Sequence, residues 1–248
     1  MTHIQLKSIL SNLLENRECL ILRASILSLF CFLLITSVAL AHNVTPGDAG
    51  YVQEIWGVNL IPFAYLGAKH MVTGYDHILF LLGVIFFLYR TKDVAIYVSL
   101  FAAGHSITML AGVLMQWGIN AYIVDAIIGL SIVYKALDNL GAYQKWLGFQ
   151  PSTKIATFVF GLFHGTGLAS KLLDYKISED GLLENLIAFN VGVEIGQLLA
   201  LGGILIIMGY WRRHPAFSRH ASFANLLLMF AGFGFIWLHM SGYIAALS

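Results

Sequence analysis

Beyond residue 41 the chain is a succession of six apolar stretches, each about 17–25 residues long, the length at which a helix crosses the hydrocarbon core of a bilayer. They run over residues 68–89, 94–116, 121–137, 154–173, 185–210 and 222–243. Lipid offers no partner to a backbone N–H or C=O, so a single segment of this kind must be helical. The expected fold class is therefore all-α, a polytopic membrane helix bundle. Composition agrees. Charged residues are 11% of the 248 and apolar residues 58%, with a mean hydropathy of +0.78. A soluble domain carries roughly 25% charge. A water-soluble globule is excluded, and so is a disordered chain. With 14 Lys+Arg against 13 Asp+Glu there is no basic excess, so no nucleic-acid surface is expected.

Residues 1–41 have the pattern of a signal peptide. Lys7, Arg17 and Arg23 form a positive start, residues 24–40 an apolar run, and Ala39-Leu40-Ala41 a small-residue cleavage site. Cleavage leaves His42 as the new N-terminus. An uncleaved signal anchor is the alternative and raises the span count to seven. Both cysteines, Cys19 and Cys31, lie in this segment. A mature chain then has no thiol, which removes disulfides, thiolate metal sites and cysteine nucleophiles together. Residues 42–66 are more polar, with Pro46, Gly47 and Pro62, and are expected to form a periplasmic or interfacial arm. Residues 67–248 are then the six-helix transmembrane domain.

The links between spans set orientation. One set carries Arg90 and Lys92, then Lys135, Lys145 and Lys154, then Arg212, Arg213 and Arg219; the other carries only Lys69, Lys171 and Lys176. The positive-inside rule places the first set in the cytoplasm and both mature termini outside. Gly161, Gly165, Gly167, Gly192 and Gly196 fall at small-residue spacings on the fourth and fifth spans, where close helix packing is expected.

Polar residues inside these spans are few, and each is expensive, at about 2.5–3.5 kcal/mol for a charge on insertion scales. The first span has His70, Asp76 and His77. The second has His105 beside Ser106, the third Asp125, the fourth His164, the fifth Asn190, Glu194 and Gln197, and the sixth His239. Counted from each outer end at a rise of about 1.5 Å per residue, all fall between the outer interface and the midplane. The inner half is expected to hold only hydroxyls such as Ser99 and Ser131.

On a continuous helix His70 and His77 share a face but stand about 10 Å apart along it. They then serve as two rungs, an outer capture position and a deeper site, rather than as a chelating pair. Asp76 points about 100° from His77 and either ligates in a second direction or orients a neighbouring imidazole. Asn190, Glu194 and Gln197 have the spacing of one helix face. Imidazole with carboxylate or amide oxygen, and no sulfur, suits Ni²⁺, Co²⁺, Zn²⁺ or Cu²⁺. His42, once N-terminal, adds a possible amine–imidazole chelate. Plainer roles exist: Asp125 can cap its span or pair with a histidine, His239 beside Trp237 can be interfacial, and His164 can be a packed core residue.

The same residues carry a resemblance. His70 with Asp76-His77 running into Ile78-Leu79-Phe80-Leu81-Leu82-Gly83 is one element. The others are Gly104-His105-Ser106-Ile107-Thr108, Gly161-Leu162-Phe163-His164-Gly165, and Phe189-Asn190-Val191-Gly192-Val193-Glu194-Ile195-Gly196-Gln197. In this order they resemble the HupE/UreJ family of bacterial hydrogenase/urease accessory membrane proteins, over residues 64–243. The resemblance implies a nickel or cobalt permease of the inner membrane, feeding metalloenzyme maturation factors, with His70, Asp76, His77 and His164 handling the metal. One departure is visible. The best-described nickel members have a second histidine and a glutamate shortly after Phe-His-Gly; here Thr166-Gly167-Leu168-Ala169 follows. His105-Ser106 and Asn190/Glu194 look like a second branch of the family, so a transition metal is expected more firmly than nickel.

The leading expectation is thus a permease with a site built from His70, Asp76, His77, His105, His164 and Glu194. His77 and His164 sit midway along the first spans of two halves of opposite orientation, compatible with a three-plus-three inverted repeat. Two alternatives remain: an intramembrane zinc hydrolase acting on a lipid or membrane peptide, with Glu194 or Asp76 as base and Ser106 or Asn190 as donor, and a metal-binding accessory subunit that does not transport.

Overall fold

The computed structural model describes residues 55–174 and 177–248. The expected signal segment, His42 and arm residues 43–54 lie outside the described residues. Among the described residues the chain forms eight α-helices and no strand. In chain order these are α1 (Leu60–Thr73), α2 (Tyr75–Ile85), α3 (Thr91–Leu114), α4 (Ala121–Asn139), α5 (Ala142–Leu147), α6 (Thr153–Leu173), α7 (Leu182–Arg213) and α8 (Phe217–Leu247). Of these, α3, α6, α7 and α8 are each long and apolar enough to cross a membrane. The expected third span corresponds to α4, which carries Asp125, Lys135 and Asp138 and is not among the four.

The first expected span is not one helix. It is broken at Gly74, which has φ −74° and ψ 101°, between α1 and α2. An added Cβ at Gly74 would stand 2.7 Å from His77 Nδ1 and 3.0 Å from Asp76 Oδ1. The break therefore needs a residue without a side chain, because Asp76 and His77 fold back over it. Helix α1 also begins earlier than expected, so residues 60–66 of the expected arm are helical. Pro62 falls in its first turn, where a missing N–H costs nothing. Asn185 of α7 fixes this start by accepting from Asn59 N at 2.6 Å and donating to Gly57 O at 2.8 Å. At the far end of α2 the Arg212 guanidinium donates to the carbonyls of Ile85, Phe86 and Leu88, satisfying acceptors that a helix end leaves open.

Three helix pairs carry the packing, and glycine makes each one. In α1 against α7, a Cβ on Gly67 would stand 1.9 Å from Phe189 O and one on Gly192 1.9 Å from Ala64 O, while Gly196 faces Ala68. Residue numbers rise together, so the two helices are parallel. In α3 against α6, Gly161 faces Phe101, Gly165 faces His105, and Gly112 faces Ala169, again parallel. In α4 against α8, Gly129 faces Gly232 and Gly242 faces Tyr122, so these run antiparallel. Only a missing side chain lets backbones approach this closely. The small-residue spacings of the fourth and fifth spans are thus packing faces.

Lys135 is not a loop residue. It lies within α4, is buried, and pairs with Asp138 one turn on. Asp138 also accepts from the Gln150 side chain and from Thr153 Oγ1 at 3.2 Å. Nearby, Asn139 donates to Gly83 O at 2.9 Å and to Asn225 Oδ1 at 2.8 Å. The slab expected to hold only hydroxyls therefore contains an ion pair and an amide pair. Counting Lys135 as a topology charge hid the first; the signal that reveals it is the i,i+3 spacing of Lys135 and Asp138.

Candidate metal centre

Four helices deliver the centre. His70 stands in the last turn of α1, Asp76 and His77 in the first turn of α2, His105 in the middle of α3, and His164 in the middle of α6. His77 is at the hub. Its ring centroid lies 5.1 Å from that of His70, 5.9 Å from His105 and 4.9 Å from His164. The break at Gly74 is what brings His70 to His77. The expectation of two rungs about 10 Å apart assumed a continuous helix, and that assumption fails here.

Two donor groups result, His70/His77/His105 and Asp76/His77/His164, each with ligand atoms within 4.8 Å of one another. Asp76 Oδ1 lies 3.0 Å from His77 Nδ1. That bond holds the imidazole as a carboxylate does behind a metal-ligating histidine and leaves Nε2 as its free nitrogen. His164 Nε2 contacts Ser131 Oγ at 3.3 Å, and Ser131 in turn donates to Ile128 O at 2.6 Å.

What remains is a set of unused nitrogens. His70 Nε2, His77 Nε2, His164 Nδ1 and both ring nitrogens of His105 are buried without a hydrogen-bond partner. Each buried polar atom left unsatisfied costs about 1–3 kcal/mol, and native structures rarely concentrate them. Buried imidazole nitrogens grouped in this way are a donor set suited to a borderline divalent ion. His77, His105 and His164 are almost fully buried, whereas His70 is partly exposed.

The other expected site residues lie elsewhere. Glu194 is exposed on α7, flanked by exposed Val191, Ile195 and Leu198, and belongs to neither donor group. Asn190, Glu194 and Gln197 share a face of α7 as expected, but only two of them reach α3: Gln197 is buried and donates to Val98 O at 3.2 Å, Asn190 donates to Ser106 Oγ at 2.8 Å, and Glu194 between them is exposed. Asp125 binds Lys171 Nζ at 2.9 Å through Oδ1, and its Oδ2 lies 3.5 Å from His239 Nδ1. These three form a separate buried cluster joining α4, α6 and α8, which is the pairing role foreseen for Asp125 as the alternative to metal binding.

The described residues are those of a helical membrane protein, with four helices long and apolar enough to cross a bilayer and a group of imidazoles and a carboxylate that could hold a metal ion. The sequence matches the family described as HupE / UreJ protein over residues 46–246, and the chain belongs to that family. No curated protein and no solved structure matches it.

Proposed function

We propose that this chain is a permease for a divalent transition metal, of the nickel and cobalt type, in the bacterial inner membrane. The observation that carries the proposal is the gathering of unbonded imidazole nitrogens from His70, His105 and His164 around His77, in two donor groups that share it. These donors come from three bodies, α1 with α7, α2 beside α4, and α3 with α6, the last two touching through α4 and α6. An ion held among them draws the three bodies together, and its loss frees them. That coupling of ligation to helix position is what a carrier needs and a purely structural site does not. Family membership points the same way.

The ion is the cargo. His70, partly exposed, meets it first; His77, set by Asp76, takes it with His105 or His164. The broken span α1–α2 supplies both the first and the central ligand, as discontinuous helices do at transporter midplanes. The helix pairing also suits a six-span inverted repeat with α1–α2 as one span. A two-fold axis that exchanges the halves turns the α1/α7 pair into the α6/α3 pair and maps α4/α8 onto itself. The basic links, read as cytoplasmic, support an orientation with both mature termini periplasmic, and we read residues 67–248 as one transmembrane domain behind a cleaved signal.

A hydrolase needs a carboxylate base beside the metal. Asp76 is engaged by His77 and Glu194 lies outside the cluster, which favours transport over hydrolysis. Metal-dependent accumulation in cells tests the reading. Wild type accumulates Ni²⁺ or Co²⁺ and His77→Ala does not, at equal protein levels; equal accumulation by both refutes it.

A further inference from the structure

Each of the three buried histidines is accompanied by a phenylalanine one turn away, always on the same side. Phe80 follows His77 by three positions on α2; Phe101 precedes His105 by four on α3; Phe160 precedes His164 by four on α6. Helices α3 and α6 are parallel and α2 runs against them, so all three rings fall beyond the histidines on the face away from His70. They meet there. Ring centroids are 5.2 Å apart for Phe80 and Phe101 and 5.9 Å for Phe80 and Phe160. The layer also underlies the imidazoles directly, with Phe101 5.0 Å and Phe80 5.4 Å from His164. Phe80 and Phe101 are each 1% exposed. Beyond the layer, Tyr134 lies on Phe160 at 5.2 Å, and the Lys135–Asp138 pair follows on α4.

The order along the protein is thus a nitrogen-rich layer edged by the half-buried His70, then a layer of hydrocarbon, then polar groups again. A dication in the middle layer has neither imidazole nor water. Cation–π attraction to the ring faces is far too small to offset the loss of a dication's hydration. With the rings together, no ion passes.

We infer that Phe80, Phe101 and Phe160 form the inner seal of the metal path, and that Phe80 is the part that moves. This rests on the permease reading above. Phe101 and Phe160 belong to α3 and α6, whose backbones are locked through Gly104, Gly161 and Gly165. Phe80 belongs to α2, eleven residues long, detached from α1 at Gly74 and tethered at its other end by Arg212. The same short helix carries His77, so a shift of α2 that releases the ion also opens the layer beneath it.

The test is efflux of Ni²⁺ and Co²⁺ from preloaded phosphatidylethanolamine–phosphatidylglycerol liposomes, run beside uptake and bound metal per chain. Phe80→Ala with Phe101→Ala is expected to raise passive efflux tenfold or more while bound metal stays at the wild-type ratio. Phe160→Ala, which removes a half-buried ring, is the milder variant should the pair fail to fold. Phe86→Ala removes an equally buried ring outside the layer and is expected not to leak. If wild type transports and the ring variants leak no faster, the seal is refuted and the permease stands. If wild type does not transport but the ring variants leak, the seal stands and the permease falls. Leakage through Phe86→Ala as well, or no metal movement in any variant, refutes the seal.

Discussion

His70 and His77 meet ring to ring at 5.1 Å across a broken helix, although seven residues of unbroken helix hold two side chains about 10 Å apart. Gly74 is the cause. Its backbone is within reach of any residue, but its missing Cβ leaves the space that Asp76 and His77 fill. Gly74→Ala is therefore expected to disturb the site sterically. Metal affinity should fall tenfold or more, measured by titration calorimetry with Ni²⁺, while the helical circular dichroism spectrum is unchanged.

Asp76 and Asp125 are both buried carboxylates beside a histidine, and they separate site from scaffold. Asp76→Asn keeps the shape but loses the charge that orients His77, so metal affinity drops about 10–100-fold. Asp125→Ala leaves the Lys171 ammonium partly buried without its carboxylate and costs about 3 kcal/mol, while metal per chain stays at the wild-type value. Thermal unfolding in detergent and metal analysis of both variants check the contrast.

Much of the centre was legible because intramembrane imidazoles are so few. His77, His105 and His164 stand at similar depths on separate helices, and the structure brings His105 and His164 against His77. The break at Gly74 was not legible: a glycine within an apolar run costs only about 1 kcal/mol in a helix, and nothing local distinguishes a break from a tolerated residue. Glu194 stands outside the histidine cluster for a reason the sequence does contain. Gly192 and Gly196 mark the face of α7 that packs on α1, and Glu194, two residues from each, points the other way. Lys135 was assigned by its neighbours in the chain rather than by its partner in the fold.

That orientation yields a prediction for Glu194 itself. Glu194→Gln should leave bound Ni²⁺ per chain and its affinity unchanged, because no ligand atom is lost. A clear loss of bound metal in purified Glu194→Gln would place this carboxylate in the centre after all.

The α1/α7 contact holds His70 in place, and Gly192 against Ala64 O is one of its two tightest points. Gly192→Ala must push the backbones apart. It is expected to destabilise the protein by about 1–3 kcal/mol and to weaken metal binding through His70 alone. The companion change Gly202→Ala, on the same helix where nothing lies within 4 Å of an added Cβ, should do neither. Unfolding midpoints of the two variants compare them directly.

The central claim is that His77 is the hub of a metal centre, and X-ray absorption at the nickel edge tests it most directly. Purified wild-type protein loaded with Ni²⁺ should show the outer-shell scattering of imidazole ligands, and His77→Ala should lose both that pattern and most of the bound metal. An identical spectrum and metal ratio in the two proteins would contradict the account.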